Sequence, residues 1–401
     1  MVSLADQDWL TSTATQAVMK ALAQAGGPGC ARFVGGCVRN AILGAPVDDI
    51  DIATQLKPDQ VLAALKVANL RAVPTGMEHG TVTALSERRP YEITTLRRDV
   101  ETDGRRATVA FTTDWAEDAA RRDFRLNALY ADADGSIHDP NGEGLADAKA
   151  GRIIFVGDAR QRIREDYLRI LRFFRFQAWY GRGEADKEAL RACTELADGV
   201  ETLSAERVSK ELLKLLKAPD PRSAVHQMHQ VGVLEPILRA PASLDLFDAM
   251  VPISPDPLLR LSALWPAEAE VVEDRARALR LSNAERDRLV EAVAGALDLP
   301  LKPRDARAKL YHIGNQAFCD RVLRAQAAGA DSDSAAQALA VAEAWQRPRL
   351  PVGGRDLARL GLKPGPETGR ILKAFEASWV ADDFPDSGHE DRLRALMNLQ
   401  A

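Results

Sequence analysis

The sequence predicts an α+β protein in which a mixed head, extending to about residue 145, precedes an elongated helical remainder. The head alternates short β-like runs with helical stretches, whereas almost all of the chain beyond residue 160 has a helical pattern interrupted by prolines. Aromatic residues make up only 5% of the chain, so its cores must consist mainly of Leu, Ala, Val and Ile, which suits helices. A length of 401 residues also exceeds the about 250–300 residues of one hydrophobic core, which predicts two to four packed units.

The elements of the head follow from local patterns. Residues 32–34 are a brief apolar run that is predicted to be a strand, and residues 37–43 are predicted to form the helix after it. Residues 49–52 alternate polar and apolar side chains, which is the period of a half-buried strand. Residues 81–85 and 91–96 are predicted to form a hairpin closed by a charged turn. The helical remainder is predicted to break at four proline-rich positions: residues 219–221, 252–257, 299–303 and 348–354.

The composition excludes several classes of protein. The 46% hydrophobic content can build cores and so excludes general disorder. The net charge of −5 excludes a polycation, so nucleic acid would have to be bound through local basic surfaces. No apolar run approaches the about 20 residues of a membrane span, and the N-terminus lacks a basic segment, so we expect a cytoplasmic protein with no membrane partner. Four scattered cysteines form no CxxC pair, which predicts neither a disulfide framework nor a zinc site: Cys30, Cys37, Cys193 and Cys319.

Two glycines lie where the first strand turns into the helix. Gly35 and Gly36 allow a phosphate to approach the backbone closely, the helix N-terminus offers free N–H groups, and Arg39 adds a cation. This pattern is typical of a phosphate-binding turn, although a plain strand–helix turn would look the same.

Two acids follow on the next predicted strand. Asp49 and Asp51 are two residues apart, so in a strand both carboxylates point to the same side. Paired carboxylates need a cation to neutralise them, and their hard oxygen ligands suit Mg²⁺. Glu92, on a later strand, could complete the carboxylate cluster of a phosphoryl-type transfer site. The competing interpretation is an exposed edge strand with solvated acids.

A third group combines Arg121 and Arg122 with Asp123. The fork of a guanidinium matches phosphate oxygens, and a neighbouring carboxylate can bind a ribose hydroxyl. Arg121, Arg122 and Asp123 are therefore candidates for binding the phosphates and a ribose hydroxyl of a nucleotide. The alternative is a charged start of a helix.

Residues 164–176 have the apolar stripe of an amphipathic helix. Asp166 and Arg169 are three residues apart, so they would lie on one face of that helix, with Arg172 one turn further. Cytosine and adenine both present an amino donor beside a ring-nitrogen acceptor, which an aspartate and an arginine match, whereas guanine and uracil present the reverse pattern. The pair is therefore a candidate for reading a base. The alternative is a salt bridge between Asp166 and Arg169 within the helix.

A basic run follows in another predicted helix, which begins after Ser204. The run could bind an anionic partner, but solvated lysines on a helix face would give the same pattern. Its cations are Arg207, Lys210, Lys214 and Lys217.

Together and in this order, these blocks resemble the class II tRNA nucleotidyltransferase / poly(A) polymerase family. The resemblance covers about residues 30–217, with a weaker match in residues 354–369. The departures are Asn40, where the family commonly has Asp, Tyr167 in place of Pro, and Arg125-Leu126 in place of Thr-Ile. The matching segments are Val34-Gly35-Gly36-Cys37-Val38-Arg39, Asp49-Ile50-Asp51, Tyr91-Glu92-Ile93-Thr94-Thr95-Leu96-Arg97, Arg121-Arg122-Asp123-Phe124-Arg125-Leu126-Asn127-Ala128, Glu165-Asp166-Tyr167-Leu168-Arg169-Ile170-Leu171-Arg172 and Glu206-Arg207.

The resemblance implies a polymerase-β-like nucleotidyltransferase head with a mixed sheet, followed by an all-helical neck, body and tail. The neck would carry the base-reading helix, and the body and tail would bind RNA. The four regions would comprise residues 1–145, 146–220, 221–330 and 331–401.

The resemblance also implies a role for each candidate residue. Asp49 and Asp51 would hold Mg²⁺, with Glu92 as a further catalytic acid. The nucleotide would be bound by three sets of residues: Gly35, Gly36 and Arg39 at the phosphates, Arg122 and Asp123 at the sugar–phosphate, and Asp166 and Arg169 at the base, with Arg172 in support.

The activity that the resemblance implies is the template-independent addition of C, C and A to tRNA 3′ ends from CTP and ATP, with release of pyrophosphate. The partner would be the 3′ end and acceptor arm of tRNA. One alternative is a poly(A) polymerase, although residues 73–80 lack the basic Gly-Arg-Arg-Phe type of segment that such proteins carry before the hairpin. Another is an enzyme that adds only CC or only A. The intact Asp49 and Asp51 disfavour a non-catalytic RNA-binding protein, and the oligomeric state stays open.

Overall fold

The computed structural model describes residues 3–103 and 106–398, which divide into two compact units, Met1–Ala240 and Pro241–Ala401. The first unit contains all of the strands of the described residues, and the second unit is helical. The α+β class, with a mixed head followed by a helical remainder, is therefore confirmed. The finer division into four regions stays a prediction.

A mixed sheet organises the head. Its strands are β1 Ala31–Val34, β2 Ile50–Thr54, β3 Arg71–Gly76, β4 Thr81–Ser86, β5 Arg89–Thr95, β8 Tyr130–Ala131 and β9 Ile137–His138, and a separate hairpin consists of β6 Arg97–Asp103 and β7 Arg106–Phe111. The strand order in the sheet is β3-β4-β5-β2-β1-β8-β9. β2 and β5 run parallel, whereas the other neighbouring pairs are antiparallel. The predicted hairpin of residues 81–85 and 91–96 corresponds to β4 and β5.

Twelve helices accompany the strands in the described part of the first unit: α1 Asp8–Thr11, α2 Thr13–Gly26, α3 Gly36–Leu43, α4 Pro58–Val67, α5 Trp115–Ala120, α6 Gly144–Ala150, α7 Ala159–Glu165, α8 Leu168–Tyr180, α9 Lys187–Glu195, α10 Ala205–Leu216, α11 Arg222–Gln230 and α12 Leu234–Leu238. Three 3₁₀ helices span Met77–His79, Arg125–Asn127 and Ala197–Thr202. The predicted helix over residues 37–43 corresponds to α3, and it ends at Gly44, whose φ of 67° is the left-handed conformation that glycine adopts without strain.

An aromatic cluster joins the loop after α5 to helix α8. The ring of Phe124 lies 4.8 Å from that of Phe155 and 5.0 Å from that of Phe176, measured between centroids. Phe173 packs against Phe155 at 5.9 Å. All four rings are buried, so their burial fixes α8 against the head.

The predicted single helix over residues 164–176 is wrong. α7 ends at Glu165, and α8 begins at Leu168. Between them Asp166 has an extended backbone, with φ −159° and ψ 105°, and its Oδ1 accepts a hydrogen bond from the Leu168 N–H. An aspartate side chain that caps the next helix in this way competes with helix continuation, which is why the chain breaks here despite its apolar stripe.

The second unit consists of ten helices in its described residues: α13 Leu244–Met250, α14 Pro257–Leu264, α15 Ala269–Ala278, α16 Asn283–Val293, α17 Pro303–Ile313, α18 Asn315–Ala327, α19 Ser332–Ala344, α20 Gly354–Arg359, α21 Pro366–Ala381 and α22 His389–Asn398. All four predicted breaks coincide with junctions between helices: residues 219–221 lie between α10 and α11, and the other three ranges end on the first residue of α14, α17 and α20. One core cluster centres on Leu310 and Phe318, and another on Ile371 and Phe375. None of the described helices is long and apolar enough to span a membrane.

Candidate active site

Three carboxylates gather where β2 and β5 run side by side. Asp51 on β2 is the register partner of Glu92 on β5, so both side chains leave the same face of the sheet. Asp49 lies just before β2 and is exposed. Burial, then the charges of Glu92 and Asp49, raise the pKa of Asp51 to about 6, although Arg122 acts in the opposite direction. The acids therefore carry negative charge that the surrounding protein does not fully neutralise.

The arrangement of these acids suits a cation that also binds to groups of a ligand. Across residues 3–103 and 106–398, no three Asp, Glu, His or Cys side chains are arranged to hold a metal ion by themselves. Mg²⁺ is usually bound through one or two carboxylates together with substrate phosphates and water, and seldom by a cage made only of protein groups. Asp49 and Asp51 supply that number of carboxylates, and burial and the charge of Glu92 both raise the pKa of Asp51, so a cation bound there would offset the charge of the acids.

The glycine turn brings a buried arginine beside the start of α3. Gly35 has a φ of 70°, a left-handed conformation that any other residue would adopt only with strain. The Arg39 guanidinium donates hydrogen bonds to Oδ1 of Asn127 at 2.5 Å, to Oδ1 of Asn40 at 2.8 and 3.2 Å, and to the Tyr180 hydroxyl at 2.8 Å. Burial lowers the pKa of Arg39 from its usual range. Because these partners are neutral, Arg39 keeps a positive charge that can attract an anion.

Asn40, which stands where the family commonly has Asp, makes hydrogen bonds that keep Arg39 in position. Its Oδ1 accepts both Arg39 bonds, while its Nδ2 donates to the Pro46 carbonyl at 2.8 Å. The amide thus holds Arg39 in place as an acid could, but it adds no negative charge.

A buried aspartate fixes the two arginines of the third group. Asp118 accepts hydrogen bonds from Arg121 at 2.6 Å, from Arg122 at 2.9 Å and from the Tyr130 hydroxyl at 2.8 Å. Although burial opposes it, the charges of Arg122 and Arg121 hold the pKa of Asp118 well below its usual range. The predicted phosphate-binding Arg122 is therefore held in a fixed position before any ligand binds.

Asp123 connects the head to helix α8. One of its oxygens accepts from Arg172 Nε at 2.9 Å, and the other accepts from Asn127 Nδ2 at 3.1 Å. Burial alone would raise the pKa of Asp123, but Arg172 and Asn127 lower it to about 2. Glu211 of α10 lies on the far side of Arg172 at 3.8 Å and accepts from Arg175 at 2.6 Å. These contacts place the predicted residues Asp123 and Arg172 in one network.

Asp166 and Arg169 lie close in the chain but pair with different residues. Asp166 Oδ2 accepts from Arg207 at 2.7 Å, and Arg169 Nη1 donates to Glu165 at 2.6 Å. The alternative of an ion pair between Asp166 and Arg169 within one helix is therefore wrong, and so is the prediction that both lie on one helix face. Their side chains are 32% and 15% exposed, so the aspartate is the more accessible of the two to a ligand.

Two family models and several known proteins match this chain. A family model described as "Poly A polymerase head domain" matches residues 31–154, and one described as "Probable RNA and SrmB- binding site of polymerase A" matches residues 184–244. The CCA tRNA nucleotidyltransferase 1, mitochondrial, of Mus musculus is 35% identical over 376 residues, which are 88% of this chain and 83% of that protein. The chain belongs to the class II tRNA nucleotidyltransferase / poly(A) polymerase family.

A bacterial relative and a solved structure extend the match. The CCA-adding enzyme of Limosilactobacillus fermentum is 35% identical over 377 residues, covering 88% of this chain and 90% of that enzyme. The crystal structure of the Bacillus stearothermophilus CCA-adding enzyme in complex with CTP has the same fold, with a TM-score of 0.77 at 24% identity, over 97% of this chain and 98% of that one. The predicted polymerase-β-like head is thus confirmed, and the chain is a nucleotidyltransferase. This family uses a divalent metal ion.

Three residues that contact the candidate site were not predicted as site residues. Asp118 lies three and four residues before Arg121 and Arg122, so helical spacing could have revealed it. Tyr180 is hydrogen-bonded to Arg39, which lies 141 residues away in the sequence. Glu211 is hydrogen-bonded to Arg175, which lies 36 residues away. No local pattern in the sequence signals contacts of that range.

Replacing Asp118 should destabilise the head. Asp118→Ala removes the acid that neutralises two half-buried arginines, and breaking a buried ion pair typically costs about 3 kcal/mol. Thermal unfolding followed by circular dichroism should show a transition midpoint several degrees lower than in the original protein. Glu390→Ala, which breaks an exposed pair with Arg394 in α22, is the matched control and should cost less than about 1 kcal/mol. Equal midpoints for the two variants would contradict a structural role for Asp118.

Proposed function

We propose that this enzyme adds C, C and A to the 3′ ends of tRNA, using CTP and ATP with Mg²⁺ and releasing pyrophosphate. The observation that carries the proposal is the carboxylate cluster of Asp49, Asp51 and Glu92 in a chain that is 35% identical, over most of its length, to a CCA tRNA nucleotidyltransferase and a CCA-adding enzyme. A degenerate, non-catalytic head would not need to keep acids in such an unfavourable position.

The acids form the chemical centre of the proposal. Asp49 and Asp51 would hold Mg²⁺, and Glu92 adds negative charge beside Asp51 on the neighbouring strand. When bound, the metal ion lowers the pKa of the RNA 3′-hydroxyl and neutralises charge on the triphosphate. The partly buried position of Asp51 limits competition by water for that cation.

The positioned arginines are proposed to bind the triphosphate and the sugar. Arg39 and the Gly36 N–H at the start of α3 are proposed to bind phosphate oxygens, and Gly35, whose own N–H donates to the Leu129 carbonyl at 3.4 Å, lets the phosphate approach the backbone. Arg122, held by Asp118, and Asp123, held by Arg172, are proposed to contact the sugar–phosphate. Since these side chains are already in position, less conformational entropy is lost when the nucleotide binds.

Asp166 and Arg169 are proposed to read the base, with Arg172 in support. Asp166 would accept from the amino group of cytosine or adenine, and Arg169 would donate to the ring nitrogen next to it. Glu165 orients Arg169, and Arg207 orients Asp166, each through an ion pair. Because protein side chains alone define this pattern, the enzyme selects C and A with no nucleic-acid template.

The experiment that tests the proposal is sequencing of reaction products. A tRNA that ends at the discriminator base is incubated with the enzyme, Mg²⁺ and all four nucleotides, and the new 3′ ends are sequenced. We expect three added nucleotides, C, C and A. A long A tail would favour a poly(A) polymerase, and products that end after CC, or A added only to tRNA that already ends in CC, would favour a partial enzyme.

Binding of tRNA should weaken steeply with salt despite the net charge of −5. Contacts are expected to go mainly to phosphates through local basic surfaces, and each contact releases counterions. The association constant should fall by about 100-fold or more between 50 and 200 mM salt, as measured by fluorescence anisotropy with labelled tRNA. An affinity that does not change with salt would count against tRNA as the partner.

The regions and the compartment complete the proposal. We place the catalytic head at residues 1–145 and the neck at 146–220, with RNA bound by the body at 221–330 and the tail at 331–401.

Three of the four cysteines, Cys30, Cys37 and Cys193, are buried thiols, and burial raises the pKa of each. Unoxidised thiols suit a reducing compartment, so we propose the cytoplasm.

A further inference from the structure

The exposed face of α10 carries a row of lysines. Lys210, Lys214 and Lys217 follow Arg207 at spacings of three, seven and ten residues, which places all four on one side of the helix. All four residues are exposed. Within the described part of the chain, Arg207 pairs with Asp166, whereas no carboxylate lies within ion-pair distance of the three lysine ammonium groups. The lysine row, defined as Lys210, Lys214 and Lys217, is therefore a strip of positive charge with no partner in its own unit.

The helix turn that precedes the lysine row contacts the candidate base-reading residue. Arg207 Nη2 donates to Asp166 Oδ2 at 2.7 Å, which ties the first turn of α10 to the residue before α8. Lys217 lies ten residues further along, about 15 Å at 1.5 Å per residue. The row therefore leads away from the place where the incoming base would lie.

An exposed aromatic ring lies beside the lysine row. Trp179 of α8 is 39% exposed, which is unusual for a side chain of this size. Its indole Nε1 donates to the backbone carbonyl of Lys214 at 2.7 Å, so the ring is held next to the row. Cations in line with an exposed ring are the arrangement that binds single-stranded nucleic acid, in which phosphates meet the cations and bases stack on the ring.

We propose that the lysine row and Trp179 bind the single-stranded 3′ segment of the RNA and guide its end to Asp166. This inference rests on the proposed function and deepens it by assigning the path of the primer strand. A stacked strand carries one phosphate per about 3.4 Å, so the about 15 Å from Arg207 to Lys217 spans about four phosphates. Lys210, Lys214 and Lys217 neutralise three of them, and Trp179 supplies a stacking platform that an acidic protein partner would not need.

The test compares the salt dependence of RNA binding in three variants of the full-length enzyme. The probe is a short oligoribonucleotide with the sequence of a tRNA 3′ end that lacks CCA. In the first variant each lysine of the row is replaced by Gln; in the second each is replaced by Arg. The matched control replaces three exposed lysines elsewhere in the first unit by Gln: Lys20, Lys57 and Lys66.

Counterion release sets the expected result. Each lost phosphate contact with a single strand reduces the slope of log association constant against log salt by about 0.7, so the Gln variant should have a slope shallower by about 2. Its affinity at low salt should fall on the order of 10- to 100-fold. The Arg variant and the control should keep the original slope. Binding of CTP in the absence of RNA, measured by calorimetry, reports whether the fold of each variant is intact.

Trp179→Leu provides an independent measurement. Loss of stacking should weaken oligonucleotide binding about tenfold while the salt slope stays unchanged, because no phosphate contact is lost.

Equal slopes for the Gln variant and the control, with the original protein binding RNA in a salt-dependent manner, would overturn the assignment of the lysine row and leave the proposed function standing. If the original protein binds no RNA and adds no nucleotide, the proposed function itself fails, and this inference with it.

Discussion

Asp49→Asn and Asp51→Asn should each abolish nucleotide incorporation, because each substitution removes a proposed metal ligand without changing the size of the side chain. Charge stabilisation by a bound metal is worth several kcal/mol in the transition state, so we expect rates to fall on the order of a thousandfold or more. Single-turnover extension of tRNA with radiolabelled CTP measures the loss. The affinity for tRNA should remain close to that of the original protein, because we propose that the helical parts hold the RNA.

The neighbouring Asp48 is the matched control for this prediction. It is exposed, and its backbone carbonyl accepts a bond from Arg89, but its side chain is not part of the cluster around Asp51. Asp48→Asn should therefore retain incorporation. Incorporation near the original rate by Asp49→Asn or Asp51→Asn would remove that acid from the mechanism.

Asp166→Ala should lose the preference for CTP over UTP. The substitution removes the acceptor for the amino group of cytosine and also the repulsion of the uracil carbonyl. A hydrogen bond to a charged group contributes about 1.5–3 kcal/mol, which corresponds to discrimination on the order of ten- to a hundredfold. The ratio of kcat/KM for CTP and UTP measures the effect. Asp166→Asn should shift the ratio further, because its oxygen can still accept from Leu168 while its NH2 group, which replaces the oxygen that accepts from Arg207, can donate to the uracil carbonyl.

A loss of helix capping must be separated from a loss of base reading. The Asp166 side chain also accepts a hydrogen bond from the Leu168 N–H at the start of α8, and loss of such a bond at a helix end costs about 1 kcal/mol of stability. Asp158→Ala is the matched control, since Asp158 caps the start of α7 through the N–H of Gln161 and is exposed. It should lower stability by a similar amount and leave selectivity unchanged. If Asp166→Ala behaves in the same way as Asp158→Ala, Asp166 supports the fold and does not read the base.

Local patterns predicted the parts of the fold that local interactions determine. Period-2 alternation located β2 to within one residue at its start, and glycines bounded α3 on both sides. The proline-rich breaks of the helical remainder could be predicted for the same reason, since proline fits the first turn of a helix but is disfavoured in its interior.

Contacts between distant parts of the chain could not be predicted in this way. The register that sets Asp51 beside Glu92 depends on how β2 and β5 pair across the sheet, which no alternation within either strand specifies. Periodicity was misleading at Asp166, where a side-chain bond to Leu168 starts a new helix although the apolar stripe continues. The resemblance to a family supplied the candidate residues, and the structure then revealed the partners that hold them, such as Asp118 for Arg122.

The most direct test of template-independent selection of C and A is to supply each nucleotide alone. Two substrates are used, a tRNA that ends at the discriminator base and the same tRNA ending in CC, and product lengths are read on a denaturing gel. We predict that CTP alone adds two residues to the first substrate, that ATP alone adds one residue to the second, and that UTP and GTP add none to either. Extension by UTP or GTP at rates similar to those of CTP and ATP, or long tails from ATP alone on both substrates, would contradict the account.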